Sequence, residues 1–201
     1  MARLRRGLVL CLLFVSLVAL NGCWVFSIYP LAGPTDDLVF DKLLAGNWWN
    51  AQNRCSLSFS RLPDERAYHV VYIIGKDGND ACWLDKGQSA SFTGVVVELG
   101  GARFLDVTPA DMPLQNHMVL THSFFRLKVD VNSLALTPMN YQTVEGLMQQ
   151  EKLRGVARSD NVMVLAANTK ELREFMRQNA TSQDVWNDGG KLEFQRRYDG
   201  Q

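Results

Sequence analysis

The chain has 201 residues, with 21 Lys plus Arg against 21 Asp plus Glu, 47% apolar and 21% charged. That length and mixture suit a single globular domain and exclude a collagen-like, low-complexity or wholly disordered chain. Zero net charge offers no broad electrostatic attraction for nucleic acid and no basic run suggests a local one, so no nucleic-acid partner is expected; four cysteines are too few for a disulfide-built miniprotein.

Residues 1–22 read as an export signal. Arg3, Arg5 and Arg6 form a basic start, Leu8 to Leu20 is almost wholly apolar, and Leu20-Asn21-Gly22-Cys23 closes the segment. The apolar run is too short and wrongly flanked for a membrane-spanning helix. Leu20, Gly22 and Cys23 resemble the lipobox of bacterial lipoproteins, in which the cysteine is acylated and the signal is cut before it. The resemblance implies a lipid anchor on Cys23 and a membrane as partner, because several acyl chains hold a protein stably on a bilayer. An ordinary signal peptide, or an uncleaved anchor, with Cys23 a bystander, is the alternative. Trp24 is not the Asp that marks inner-membrane retention in that class, so the expected address is the periplasmic face of the outer membrane. Removing the signal takes away three arginines and no acid, which leaves a mildly acidic mature chain.

Residues 23–35 read as a short apolar tether, Trp24-Val25-Phe26-Ser27-Ile28-Tyr29-Pro30 and onward, docked on the body or on the lipid surface. Asp36–Ala45 reads as a short helical turn stopped by Gly46. Strands are expected at Trp48–Asn50, Cys55–Ser60, Ala67–Ile74, Ala81–Asp85, Ser91–Leu99, Ala102–Thr108, His117–Val129 and Ser133–Thr137. They are separated by turn residues such as Leu62-Pro63-Asp64 and Lys76-Asp77-Gly78-Asn79. Gly100-Gly101 between two apolar runs is a two-residue hairpin signal. Strands so closely spaced, without helices between them, form an antiparallel meander.

Several of these strands are apolar on both faces, which calls for a filled interior and a covering layer outside. Helices follow at Asn140–Leu153 and Asn168–Asn179, the latter with Asn168 and Glu171 spaced as a capping box. Apolar Asn161–Ala167 lies between them, and Lys191–Tyr198 is a closing strand. Cys55 and Cys82 remain after Cys11 and Cys23 are assigned; either a disulfide or two buried thiols is open, and the intervening strand argues against the bridge.

A helical turn, then Gly46-Asn47-Trp48 opening a meander, resembles the lipocalin or calycin plan, whose hallmark is G-x-W at the first strand. The fold class expected is therefore mainly β: an antiparallel up-and-down lipocalin-like β-barrel over residues 36–198, with a short N-terminal helix and two helices in the C-terminal half. The resemblance implies that Trp48 plugs the closed end and that an arginine near the last strand, Arg196 or Arg197, packs over it. Tyr29-Pro30-Leu31, Asp37-Leu38-Val39-Phe40-Asp41 and Leu44-Ala45-Gly46-Asn47-Trp48 also look like the opening of a group of bacterial lipoproteins with lipocalin-like bodies. The helix at 140–153 interrupts the standard meander, so an open or modified barrel is the alternative.

No constellation supports an enzyme. There is no phosphate loop, no nucleophile elbow and no metal-spaced His/Glu set, and no cofactor is expected. His69, His117 and His122 read as core or rim residues. Asp106 and Asp111 beside His117 make a conceivable proton-transfer set, with nothing to fix its geometry. The aromatics carry the functional expectation. Trp48, Tyr68, Tyr72, Trp83, Phe104 and Phe124, with His122, are the candidate lining of a cavity for a small hydrophobic ligand. The competing reading is that they simply fill the core of an accessory envelope protein that acts through its surface on a protein partner.

Overall fold

The computed structural model describes residues 24–33, 38–63, 66–78, 87–110, 119–157, 162–186 and 188–198. Cys23, Cys82, Trp83, Asp111 and His117, and the strand expected at 81–85, lie outside the described residues. Among the described residues the strands are β1 (Trp24–Ser27), β2 (Gly46–Asn50), β3 (Cys55–Arg61), β4 (Ala67–Ile74), β5 (Ser89–Leu99), β6 (Ala102–Pro109), β7 (His122–Val129), β8 (Ser133–Pro138), β9 (Gly155–Ala157), β10 (Val162–Leu165) and β11 (Leu192–Arg197). Helix α1 (Tyr141–Gln149) follows β8, and α2 (Thr169–Gln178) follows β10.

Eight strands close an antiparallel ring in the order β2-β3-β4-β5-β6-β7-β8-β11 and back to β2. The expected barrel is present, and it is closed. The helix that interrupts the meander belongs to an excursion between β8 and β11, the last two strands of the ring. That excursion contributes β9 and β10, which join β1 in an extension of the wall: β7 pairs with β1, β1 with β10 in parallel, and β10 with β9.

Alternation sends one set of side chains inward. Trp48, Leu57, Phe59, Tyr68, Val70, Tyr72, Ile74, Val96, Leu105, Phe125, Leu134 and Phe194 are buried in one cluster. Small eight-stranded barrels are wide enough for side chains to fill. A second cluster lies outside β5–β7, where Val97, Leu99, Phe104 and Phe124 meet Val144 of α1, Leu172 and Met176 of α2, and Trp186. Fully burying one large apolar side chain is worth about 1.5–3 kcal/mol, so covering this outer face is itself a strong driving force. The covering layer expected from two-sided apolar strands exists there. It does not extend to β4, whose outward Ile73 is 45% exposed.

Both helices start as expected. Asn140 accepts hydrogen bonds from the Gln142 and Thr143 amides at the head of α1. The capping box of α2 is complete, with Asn168 Oδ1 accepting from Glu171 N and Glu171 Oε2 accepting from Asn168 N, both at 3.0 Å. Arg154 also pairs with Glu171 and, chiefly through that hydrogen bond, holds its carboxyl below the usual glutamate range.

Three local expectations differ from the structure. Residues 38–45 hold one hydrogen-bonded turn, Leu44 N to Asp41 O at 3.1 Å, and no helix. The Tyr68 hydroxyl binds both the N–H and the C=O of Asp41, so the backbone groups a helix would use are engaged. The long strand predicted from His117 begins at His122, with Val119 and Leu120 exposed ahead of it. The segment read as a tether contains β1, a strand of the sheet.

Leu99 pairs with Ala102, so Gly100 and Gly101 alone make the β5–β6 turn, at φ +58° and +75°. Positive φ at both central residues suits the twist of the flanking strands. A Cβ on Gly100 would also lie 2.5 Å from the Arg177 carbonyl at the end of α2, whereas one on Gly101 meets nothing within 4 Å. Gly101→Ala should therefore cost about 1–2 kcal/mol from backbone strain alone. Gly100→Ala should cost distinctly more in the same urea titration, and equal losses would show that α2 does not bear on this turn.

Candidate functional site

Three of the proposed lining residues share the barrel interior. Trp48, Tyr68 and Tyr72 are at most 2% exposed. The Tyr68 ring stacks on Phe40, with centroids 5.2 Å apart, and meets Phe59 edge-on at 6.1 Å. Burial pushes the Tyr68 phenol above its usual pKa, because the ionised form would lose its water. The hydroxyl is a structural clasp: it donates to Asp41 O at 3.0 Å and accepts from Asp41 N at 2.8 Å. Cys55 is buried in the same interior. Whether it pairs with Cys82 lies outside the described residues.

Arg196 covers Trp48. Its guanidinium lies 4.2 Å from the centre of the Trp48 ring and donates to the carbonyls of Ala45 at 3.0 Å, of Val131 at 2.5 Å, and of Leu43. The indole N–H of Trp48 donates to Leu44 O at 2.9 Å. Gly46 is required here for two reasons: its φ is +130°, and a Cβ would sit 2.7 Å from Arg196 Nη1. The choice left open between two arginines is thereby made. Arg197 points to the opposite side of β11 and lies 5.9 Å from the Trp49 ring.

The other described candidates do not face the interior. Phe104, Phe124 and His122 project from the outer side of the wall, which corrects their assignment to a lumen. Sequence alternation separates Phe124 from Phe125 but does not say which of them looks inward. That is settled by pairing, since Phe125 stands opposite Leu105, an interior residue, and Phe124 opposite Asp106. Phe104 packs on Trp186 with centroids 5.1 Å apart, and Arg126 lies 5.8 Å over the same indole.

His122 and Asp106 form a pair on this outer side that the sequence had placed no closer than adjacent strands. Asp106 is 2% exposed and faces His122 Nδ1 at 2.8 Å. Its second oxygen accepts from the Leu31 amide at 2.8 Å. A buried carboxylate that orients an imidazole is half of a general-base arrangement, but the other partner here is a backbone amide. The pair works as a latch. Thr169 Oγ1 donates to Pro30 O at 2.8 Å, Arg173 donates to Leu31 O at 3.4 Å, and Ile28 N donates to Leu165 O at 3.0 Å. With Leu31 fully buried and β1 paired on both sides, residues 24–33 are built into the body. The sequence signal for this strand is the alternation of Val25 and Ser27 with Trp24 and Phe26.

Among the described residues no group of three or more His, Cys, Asp or Glu side chains is placed to hold a metal ion, and no helix is long and apolar enough to cross a membrane.

Two substitutions probe these contacts. Arg196→Ala removes charged hydrogen bonds worth about 1.5–3 kcal/mol together with the cation–π contact, and should lower the urea midpoint without changing the slope; Arg197→Ala should cost under about 1 kcal/mol, as surface changes do. Asp106→Ala leaves the buried Leu31 amide unpaired and should cost about 1–3 kcal/mol. It should also open β1 to chymotrypsin after Phe26, and unchanged cleavage would show that Asp106 does not hold this segment. No family model, no curated protein and no solved structure matches this chain.

Proposed function

We propose that this chain is a lipid-anchored protein of the bacterial cell envelope, acylated on Cys23. Its lipocalin-like barrel serves as a filled scaffold whose surface does the work. The anchor reading is supported by the lipobox-like Leu20-Asn21-Gly22-Cys23 after a basic start and an apolar run. The observation that carries the scaffold reading is the interior. Trp48, Phe59, Tyr68, Tyr72, Phe125 and Phe194 are all at most 3% exposed and belong to one cluster. Interiors packed to the density of an organic crystal leave little room for a guest. With Trp24 after the cysteine, the periplasmic face of the outer membrane is the favoured address.

Binding of a small hydrophobic molecule is the second reading. It is favoured by the closed eight-stranded barrel itself, an architecture able to hold one small ligand, and by the aromatic character of the inner wall. A general acid–base role for His122 has no support beyond its contact with Asp106.

Cells fed an alkyne-tagged palmitate should label the wild-type chain and not Cys23→Ala; an unlabelled wild type would overturn the anchor. Purified protein should neither brighten nor retain a fluorescent fatty-acid probe. Saturable binding, abolished by filling or charging substitutions near Tyr72, would replace the scaffold reading with the ligand reading.

A further inference from the structure

Side chains of the β1–β10–β9 extension fall into two sets. Val25, Met163 and Leu165 are buried against the outer core. Phe26, Val162, Val164 and Val156 hold the alternate positions. Register lines up Phe26, Val164 and Val156 in a row across the three strands, with Val162 one row nearer the start of the chain. Phe26, Val162 and Val164 are partly exposed, Val156 is 64% exposed, and Ile28, the next alternate position after Phe26, is 40% exposed.

Not one residue of these strands, Trp24-Val25-Phe26-Ser27, Gly155-Val156-Ala157 and Val162-Met163-Val164-Leu165, is charged. β9 is also the edge of the sheet. Edge strands facing water are ordinarily guarded by lysine, proline or an inward charge, and a contiguous apolar face without such guards marks a contact surface.

We propose that this face lies on the lipid bilayer beside acylated Cys23. The inference rests on the anchor reading and adds to it a docking surface and an orientation. The reason is continuity. Cys23 is joined directly to β1, and residues 24–33 are latched to the body through Asp106, Thr169 and Leu165, so no spacer separates acyl chains from this sheet. Cys23 is bonded to Trp24, the partner of Val162, and one residue spans at most about 3.6 Å, so acyl chains on Cys23 start one residue from this sheet. Amphipathic surfaces seated in this way bury their apolar side in the interfacial layer while the polar remainder stays in water.

The test reconstitutes the full acylated protein in phosphatidylethanolamine–phosphatidylglycerol vesicles doped with a diazirine-tailed phosphatidylcholine. After irradiation, lipid adducts should map to Gly155–Ala157 and Val162–Leu165 and be absent from β4 around exposed Ile73. Val156→Asp should lose most of the adduct yield while keeping palmitate and the thermal midpoint, and Ile73→Asp should change nothing. The wild-type map decides the matter even if Val156→Asp fails to fold. Acylated protein whose adducts avoid β9 and β10 overturns the docking surface and leaves the anchor standing. Cross-links from β9 or β10 to a second copy or another protein also overturn it. A chain carrying no palmitate fails the anchor reading, and this inference with it, and the label alone reveals which has failed.

Discussion

Phe124 and Phe125 are neighbours in the chain, and they fall on opposite sides of one strand into two different cores. The molecule is organised around that division. Strands β5, β6 and β7 form a wall with apolar groups on both faces, and each face needs cover. The inner face is covered by closing the sheet on itself. The outer face is covered by α1, β10, α2 and Trp186, inserted between β8 and β11, together with Val25 and Leu31 ahead of the barrel. Remove either layer and the other core loses its wall, since the same backbone carries both.

Closure carries its own constraint. The β11–β2 seam joins the end of the chain to the start of the barrel, and Arg196 ties it by bridging carbonyls at residues 43, 45 and 131 across the Trp48 face. Carbonyls at a barrel's end are otherwise left to water. One guanidinium, with donors in a fixed fork, satisfies three of them and covers the indole at once. Gly46 supplies the room, so the Gly and Trp of the motif and the distant Arg are one physical object.

Latching of residues 24–33 gives the proposed anchor a consequence for posture. Many surface proteins swing on a polar spacer; here the first strand after Cys23 is already part of the sheet, between β7 and β10. On the proposed anchor, a body held in that way would keep one side toward the bilayer. The buried His122–Asp106–Leu31 contact belongs to this posture more than to chemistry, because it fixes where the chain leaves the fold.

Much of the barrel was legible in order and spacing. Alternation along Ala67–Ile74, the Gly100-Gly101 turn and the Asn168/Glu171 cap are local signals, and local physics is enough to read them. Less was legible at the N-terminus, where the four residues of β1 owe their conformation to β7 and β10, which lie about a hundred residues away or more. The candidate lining divided in the same manner. Trp48, Tyr68 and Tyr72 face the interior, but Phe104, His122 and Phe124 lie on the outer side. Sequence by itself determined most strands of the ring, the Gly100-Gly101 turn and the starts of α1 and α2, because each depends on neighbours within a few residues. Tertiary structure alone decided which side of the wall is inside, which arginine covers Trp48, and that the apparent tether is a strand. A period of two assigns residues to faces and leaves unsaid what each face will meet until distant strands pair.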